Sequence, residues 1–273
     1  MSSRKKPLRL FYSRRRNGAV NFGDDISPIL VSSITGRKVE HARVSQCDHA
    51  AIGSIIEMIV ERRAKRLLRA RLSPIRVWGS GCLRQGGPVT RFLLEPLALR
   101  GLLTRDRLGC RGDLPLGDPG ILFNRLHTPA STKRHRWGVI AHYTDHGSPL
   151  LQKVLENTPN VKHIPLDIDP LETLRLIGEC EHIVSSSLHG LIAADCFGIP
   201  NWRIAFEGKL DGGDYKFRDY GSAIERSAFE AIATPRSGSL DDLLATGYPD
   251  FSYFAGLDAI AARLERALRG SFD

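Results

Sequence analysis

The chain has 273 residues, of which 42% are apolar, so it is long and apolar enough for one large or two modest domains and is not a disordered chain. No apolar run approaches the ~20 residues needed to span a bilayer. The basic residues 14–16 are not followed by the hydrophobic segment of a secretory signal. We therefore expect a cytoplasmic protein.

Charge is distributed unevenly along the chain. Residues 1–150 contain 27 basic and 11 acidic side chains, a net charge of +16, whereas residues 151–273 contain 12 and 19, a net charge of −7. This asymmetry fits two lobes that attract each other, or a basic lobe that meets an anionic partner. The five cysteines occur singly, which argues against a disulfide framework and against a cysteine-based zinc site.

Short apolar runs alternate with polar loops and helical patterns along the first half of the chain. In order, the predicted elements are a strand at 8–12, a helix at 26–34, strands at 50–53 and 75–78, and an apolar element at 97–103. Residues 126–136, which contain proline, serine and threonine, are the best linker candidate.

The alternation resumes after this linker. Strands are predicted at 137–143, 161–166, 182–185 and 201–206, and helices at 150–157, 171–180 and 188–197. Four apolar residues at helical spacing predict a terminal amphipathic helix, namely Leu257, Ile260, Leu264 and Leu268. Strands that alternate with helices indicate an α/β fold with parallel sheets. We predict two Rossmann-like lobes that face a cleft, over residues 1–126 and 134–273, with the terminal helix in the second lobe.

Residues 62–71 form the most basic segment and carry Leu67 and Leu68 together, which predicts a basic amphipathic helix. The charges of this helix are interpreted first as a solvated surface, second as a contact with an anionic membrane, and third as a contact with nucleic acid. Nucleic acid ranks last because the chain has no zinc finger, no RRM signature and no interleaving of aromatic and basic residues.

An apolar run ending at residue 184 leads into three serines and then into Leu188, His189 and Gly190, from which a helical pattern continues to a stop at Pro200. This order predicts a strand, a tight loop and a helix. The free N–H groups at the start of a helix favour an anion, so His189 and the hydroxyls of Ser186 and Ser187 are candidates to bind a phosphate or carboxylate.

Other candidate residues also follow predicted strands. Arg100 interrupts an apolar stretch, where a buried guanidinium is costly unless an anion compensates it. Asp24 and Asp25 are candidates for a catalytic base or for the cap of the helix that follows; the cap is favoured for one of them, and the role of the other stays open. The remaining residues predicted to line the cleft are Asn21, Gly23, Gly79, Ser80 and Gly81.

Several motifs in this order resemble the polysaccharide pyruvyl transferases. They are Asn21-Phe22-Gly23-Asp24 with Pro28, Trp78-Gly79-Ser80-Gly81, residues 99–108 around Arg100, Gly117-Asp118-Pro119, Ser185-Ser186-Ser187-Leu188-His189-Gly190 and Gly198-Ile199-Pro200. Residues 216–220, which begin with Lys216, are similar to a further element of the bacterial exopolysaccharide branch. The resemblance extends over about residues 8 to 222.

The resemblance implies that the chain transfers the pyruvyl group of phosphoenolpyruvate to two hydroxyls of a sugar as a cyclic ketal and releases phosphate. It implies a two-lobed fold like that of one class of glycosyltransferases. The acceptor would be a lipid-linked oligosaccharide or polysaccharide. No cofactor and no metal are expected, because ketal formation needs only proton transfer and anion binding.

Within the resemblance, His189 matches a residue that contacts the donor or acts as general acid, a role that suits a pKa near neutral. Arg100 matches the arginine of the phosphoenolpyruvate site. Many family members have an arginine directly before the Leu-His pair, where this chain has Ser187. The candidates to replace that arginine are the downstream cations Arg203, Lys209 and Lys216, and serine hydroxyls with backbone N–H groups are the alternative. Glu207 and Asp219 are alternative carboxylates for the site.

Two other functions fit the same sequence features. A glycosyltransferase that uses a nucleotide sugar would share the fold but needs ribose and base pockets that the sequence does not reveal. A non-catalytic protein that binds an anionic glycan or lipid would explain the basic segments and would not need His189.

Overall fold

The structure is a computed structural model that describes residues 6–15, 17–206, 211–226 and 229–272. Its first half forms a parallel sheet of five strands in the order β2-β1-β3-β4-β5. The elements of this half are β1 (Leu8–Phe11), α1 (Phe22–Thr35), β2 (Val39–His41), β3 (His49–Ala51), α2 (Ile56–Arg62), α3 (Ala64–Leu67), β4 (Ile75–Trp78), β5 (Leu94–Ala98) and α4 (Leu102–Arg107). A 3₁₀ helix, Pro119–Arg125, leads into the second half.

The second half forms a parallel sheet of four strands in the order β7-β6-β8-β9. Its elements are β6 (His135–Ile140), a short 3₁₀ helix (Tyr143–Asp145), α5 (Pro149–Asn157), β7 (Val161–His163), α6 (Pro170–Gly178), β8 (Cys180–Ser185), α7 (Leu188–Cys196), β9 (Asn201–Arg203), α8 (Tyr215–Ile224), α9 (Asp241–Ala245) and α10 (Phe254–Gly270). Two parallel sheets with crossing helices are the predicted two-lobed Rossmann-like α/β fold.

Local sequence accounts for several helix ends. Ser148 and Asp169 cap α5 and α6 by accepting backbone N–H groups, and a proline occupies the first turn of each helix. Helix α1 ends at Gly36, whose φ of 62° is the left-handed conformation that glycine adopts at low cost. These signals explain why the helices of the second half lie within two or three residues of their predicted bounds.

The predicted single helix over residues 62–71 is wrong. Helix α2 ends at Arg62, α3 covers only Ala64–Leu67, and the chain turns back at Ala70, which has a φ of 53°. The reason is Arg66, whose fully buried guanidinium donates to the carbonyls of Cys47 (2.8 Å) and Ser73 (3.0 Å). Because this side chain bonds carbonyls that precede and follow it in the chain, the segment bends around the guanidinium. One straight amphipathic helix could not make these contacts.

The two lobes are joined by one apolar core. It contains Leu10 and Phe22 of the first lobe together with Ile140 and Leu191 of the second. Helix α10 returns to the first lobe, where the carbonyl of Leu264 accepts a hydrogen bond from Trp78 Nε1 at 2.8 Å. The lobes therefore contact each other on one side through packed side chains, and their strand ends face each other on the other side.

Candidate active site

The site forms where the two sheets turn their carboxyl ends toward each other. In the first sheet the chain runs from β1 to one side as β2 and to the other as β3, and in the second sheet β6 has the same relation to β7 and β8. Ligands of open parallel sheets bind in the crevice at such reversals of strand order. The loops that follow these strands carry Asn21, Gly53, His142 and Ser186. We call the group formed by Asp24, His189 and Lys216 the interlobe site.

His189 lies against the first turn of α1. A Cβ atom on Gly23 would come within 2.0 Å of His189 Nδ1, so only glycine leaves room for the ring at this position. On its other side, His189 Nε2 is 3.8 Å from Oδ2 of the fully buried Asp118. Neither of these two atoms has a hydrogen-bond partner among the described residues. The imidazole is thus held between the two lobes, with a carboxylate behind it.

The protonation of His189 differs from the expectation. Burial, together with the positive charges of Lys216 and Arg100, lowers the pKa of His189 to about 3. The near-neutral pKa predicted from the sequence is therefore wrong, and the ring is neutral at pH 7. Burial raises the pKa of Asp118 to about 6, which leaves this carboxylate mostly ionised and able to accept the Nε2 proton after a small movement.

The two acidic residues at the start of α1, Asp24 and Asp25, make different contacts. Asp25 accepts the backbone N–H of Asn21 at 2.7 Å and thereby stabilises the helix start. Asp24 instead accepts the Asn21 side-chain amide at 2.5 Å. Burial raises the pKa of Asp24 to about 7, against the opposing hydrogen bond from Asn21. A carboxyl that titrates near neutrality has the properties of a general base.

Lys216 supplies the positive charge of the interlobe site. It lies in the first turn of α8, and it makes no ion pair with any described carboxylate. Burial and the nearby charges of Arg100 and Arg203 lower the pKa of Lys216 to about 8. The amine is still protonated at pH 7. A cation that forms no ion pair with the described carboxylates is available to bind an anion.

Arg100 is fully buried, as its position in an apolar stretch predicts, but the compensating anion belongs to the chain. The guanidinium binds Asp219 of α8 at 3.0 Å, Ser54 Oγ at 2.6 Å and the carbonyl of Cys82 at 2.5 Å. Thr104 also donates to Asp219, through its backbone N–H and its hydroxyl. Arg100 thus joins β5 to α8, and its positive charge acts on the interlobe site from behind.

The glycine-rich segment after β4 packs against these groups. A Cβ on Gly81 would come within 2.3 Å of Arg100 Cζ, and one on Gly79 within 2.1 Å of Pro119. Gly79 also has a φ of 73°. The Ser80 hydroxyl donates to the carbonyl of Ala51 at 2.8 Å. The segment therefore makes room for the buried arginine, and the hydroxyl of Ser80 is engaged within the sheet.

The residues before His189 are also buried. Ser186 Oγ donates to Asp145 at 2.5 Å and accepts the backbone N–H of His142 at 2.9 Å. Ser187 stands at the N-cap of α7, but its side chain does not cap the helix, and the Leu188 side chain is buried. Of the two predicted serines, Ser186 thus has its hydroxyl engaged with Asp145 and His142, whereas the hydroxyl of Ser187 does not cap α7.

The three cations considered as replacements for the arginine missing at Ser187 differ in their surroundings. Arg203 binds Asp214 and donates to the carbonyl of Phe229 at 2.9 Å. Lys209 lies outside the described residues, as does the alternative carboxylate Glu207. Lys216 is left as the candidate with no carboxylate partner in the described chain.

A protein-family model and a known protein each match part of this chain. A model of the polysaccharide pyruvyl transferase family matches residues 90–207, which include Arg100, Asp118 and the segment from Ser186 to His189. This match supports the family that the motifs predicted. The chain is also similar to an uncharacterized protein of Acanthamoeba polyphaga mimivirus, with 33% identity over 151 residues. That alignment covers 53% of this chain and 50% of the viral protein, so it spans about half the length of this relative.

The segment that matches the pyruvyl transferase family supplies only part of the interlobe site. Asp24 precedes the matched segment and Lys216 follows it, and the charge of Lys216 acts on both His189 and Asp24 only because of the fold. Two further residues were missed as site members from the sequence. Asp118 could have been found from its position in the Gly-Asp-Pro turn after an apolar run, whereas His142 follows β6 without any local signal.

The described residues contain no candidate metal cluster and no candidate membrane-spanning helix. No group of three or more His, Cys, Asp or Glu side chains there could hold a metal ion. No described helix is both long enough and apolar enough to cross a membrane.

Proposed function

We propose that this protein transfers the pyruvyl group of phosphoenolpyruvate to a sugar of a lipid-linked glycan as a cyclic ketal and releases phosphate. The observation that carries the proposal is the meeting of Lys216, His189 and Asp24 between the facing strand ends. A cation that forms no ion pair among the described residues suits the phosphate and carboxylate of the donor. A carboxyl with a pKa of about 7 suits proton transfer from a sugar hydroxyl.

In the proposed reaction, a proton is added to C3 of the enol ester, which makes C2 electrophilic. One sugar hydroxyl forms a bond to C2 as Asp24 takes its proton. The C2–O bond to phosphate then breaks, phosphate leaves with that electron pair, and the second hydroxyl closes the ring with loss of its own proton. The chemistry needs no electron transfer, and the expectation that no metal or cofactor takes part remains a prediction.

His189 is proposed to deliver the proton to C3. Its low pKa reflects burial among positive charges, so the negative charge of a bound donor would raise the pKa and favour protonation when the donor is present. Asp118, 3.8 Å behind Nε2, would stabilise the resulting cation. The cytoplasmic location and the approach to a membrane-bound acceptor belong to the same proposal.

The experiment is to incubate the purified protein with phosphoenolpyruvate and a lipid-linked glycan extract and to measure released phosphate. Release that depends on the glycan, and that is lost in His189→Ala and Asp24→Asn variants with unchanged folding, is the expected result. Turnover of nucleotide sugars in its place would indicate a glycosyltransferase. Binding of the glycan without turnover of any donor would indicate a non-catalytic protein.

A further inference from the structure

A second concave region lies on the first lobe, apart from His189 and Lys216. This cavity has a volume of about 870 Å³ and opens where β1 and β2 end and where α2 and α3 pass above them. Its lining includes five cations, namely Arg14, Arg43, Arg62, Lys65 and Arg69, and no carboxylate among the described residues. We call it the basic cavity.

The cations of the basic segment, residues 62–71, fall into two groups. Arg63, Arg66 and Arg71 are engaged within the protein, with the carbonyl of Thr90, the carbonyls around Arg66, and Asp48, respectively. The other group is Arg62, Lys65 and Arg69, which follow each other at intervals of three and four residues and line the basic cavity. None of these three forms an ion pair with a carboxylate in the part of the chain that the structure describes.

Apolar side chains project beside these charges. Leu68 lines the basic cavity and is 87% exposed, and Leu72 is 67% exposed. Leu67 is also more exposed than is usual for its type, at 41%. Exposed leucines next to unpaired cations are the combination found where a protein meets the interface of an anionic membrane.

We propose that the basic cavity binds the phosphate head group of an anionic lipid while Leu67, Leu68 and Leu72 contact its hydrocarbon. The five like charges repel one another, and a phosphate between them relieves that repulsion. A cavity admits a head group that protrudes from the membrane, which a flat basic surface does not. A nucleic acid backbone would match the charges but would leave Leu68 and Leu72 in water.

The cavity and the interlobe site share one loop. Arg14 lines the basic cavity, and the next residue, Arg15, stacks on Tyr143 of the second lobe with its Cζ 4.4 Å from the ring centroid. Arg15 also lowers the pKa of Asp24 through its charge. A lipid phosphate held in the cavity would therefore bring an attached sugar near Asp24, a consequence that rests on the proposed function.

The test is co-sedimentation of the whole protein with phosphatidylcholine vesicles, with and without phosphatidylglycerol, at low salt. We expect binding only to the anionic vesicles. A variant with Arg62→Glu, Lys65→Glu and Arg69→Glu should bind these vesicles about 100-fold or more weakly, since each cation near an anionic surface contributes about fivefold. The matched control carries Arg111→Glu, Arg236→Glu and Arg266→Glu, exposed positions outside the cavity that change net charge equally. This control should bind the anionic vesicles as well as the wild type does if the basic cavity is the lipid-binding site.

Further arms separate the lipid from other anions. Leu68→Asn with Leu72→Asn should weaken vesicle binding about tenfold without changing the net charge. Equal losses in the two triple variants, or no binding to anionic vesicles, would overturn the proposal. It would also be overturned if inorganic phosphate or single-stranded RNA bound at the cavity while vesicles did not. Circular dichroism melting checks that each variant is folded, and no arm requires phosphoenolpyruvate, so failure of pyruvyl transfer leaves this test intact.

Discussion

At the scale of single residues, the position of Lys216 has the clearest functional consequence. Its ammonium group is placed beside Arg100 and Arg203, and both of those cations have carboxylate partners while it has none among the described residues. Burial and, after it, the neighbouring positive charges lower the pKa of Lys216 and of His189 alike. Binding of a doubly negative donor would oppose the part of both shifts that comes from positive charge, so donor binding and proton availability are coupled in this arrangement.

We predict that Lys216→Met raises the KM for phosphoenolpyruvate by about 10- to 100-fold, because a charged hydrogen bond to the donor is lost. In the wild type, kcat/KM should fall as the pH rises through about 8, where Lys216 releases its proton. Lys216→Arg should keep the low KM and move this alkaline limb to higher pH. Steady-state kinetics measured between about pH 6 and about pH 10 compare the two variants with the wild type. An unchanged KM in the Lys216→Met variant would show that Lys216 does not bind the donor.

A second prediction concerns the buried pair of Arg100 and Asp219, both fully inaccessible to solvent. Asp219→Ala should lower the free energy of unfolding by about 3–5 kcal/mol, because it leaves an uncompensated guanidinium in the core. The comparison is Asp211→Ala, which removes the partner of Arg84 in an exposed pair and should have little effect. Urea denaturation measures both variants. Equal, small losses would mean that the buried pair is not a structural link between β5 and α8.

This pair also affects how Arg100 is tested. Its guanidinium touches Ser54, Cys82 and Asp219, so Arg100→Ala combines a folding defect with any loss of donor binding. Activity of such a variant is informative only after correction for the folded fraction. Its location was predicted correctly from the sequence as a buried, anion-compensated arginine, and its assignment to the donor stays a prediction.

At the scale of elements, the contact between α1 and α7 determines where the imidazole lies. Gly23 in the first turn of α1 leaves the space that the His189 ring occupies. Leu166, after β7, accepts the backbone N–H of Phe22 at 3.0 Å and fixes the same turn to the second lobe. The start of α1 is therefore part of the site geometry and also part of the interface between the lobes.

Gly23→Ala should consequently reduce kcat/KM by about 100-fold or more, since a displacement of about 1 Å of a catalytic group has effects of this size. It should also lower stability by about 1–3 kcal/mol through overpacking. The control is Gly256→Ala, at a helical position in α10 where an added Cβ meets nothing within 4 Å. That variant should be as active as the wild type and slightly more stable, because alanine is the better helix former. Normal activity of Gly23→Ala would show that catalysis does not depend on the position of the His189 ring.

The elements themselves were largely predictable. Strand β4 has its predicted bounds, and α5, α6 and α7 agree within two residues at each end, because proline, serine, aspartate and glycine mark their ends locally. Helix α8 was missed, since its first turn alternates apolar and polar residues from Tyr215 to Arg218, a spacing that does not indicate a helix. The segment 62–71 was mistaken for one helix because an inward-turned arginine has no signature in a hydrophobicity pattern.

At the scale of the whole molecule, the two lobes share a core although each has its own sheet. Helix α10 belongs to the end of the chain but packs on β4 and β5 of the first lobe. Arg125 and Glu265 add an ion pair at 3.3 Å on the same side. The spacing of apolar residues alone does not show that this helix packs on the other lobe, and the domain bounds 1–126 and 134–273 stay predictions.

We predict that the lobes unfold as one cooperative unit, because separating them exposes the common apolar core. Trp78 reports on the first lobe, and Trp137 and Trp202 report on the second. Fluorescence of a variant that retains only Trp78 and of one that retains only Trp137 should give the same urea midpoint after correction for the substitutions. Two separate midpoints would show that each lobe is stable without the other.

The sequence by itself determined the α/β class, the order of strands and helices, and the motif in which His189 begins a helix after a buried strand. Those features depend on short-range spacing and capping, which a single chain carries locally. Only the tertiary structure decided that His189 rests on Gly23, that Asp219 neutralises Arg100, and that some cations of the basic segment are engaged while others line a cavity. Such contacts join residues far apart in the chain, and the pKa values of the site follow from the burial that they create.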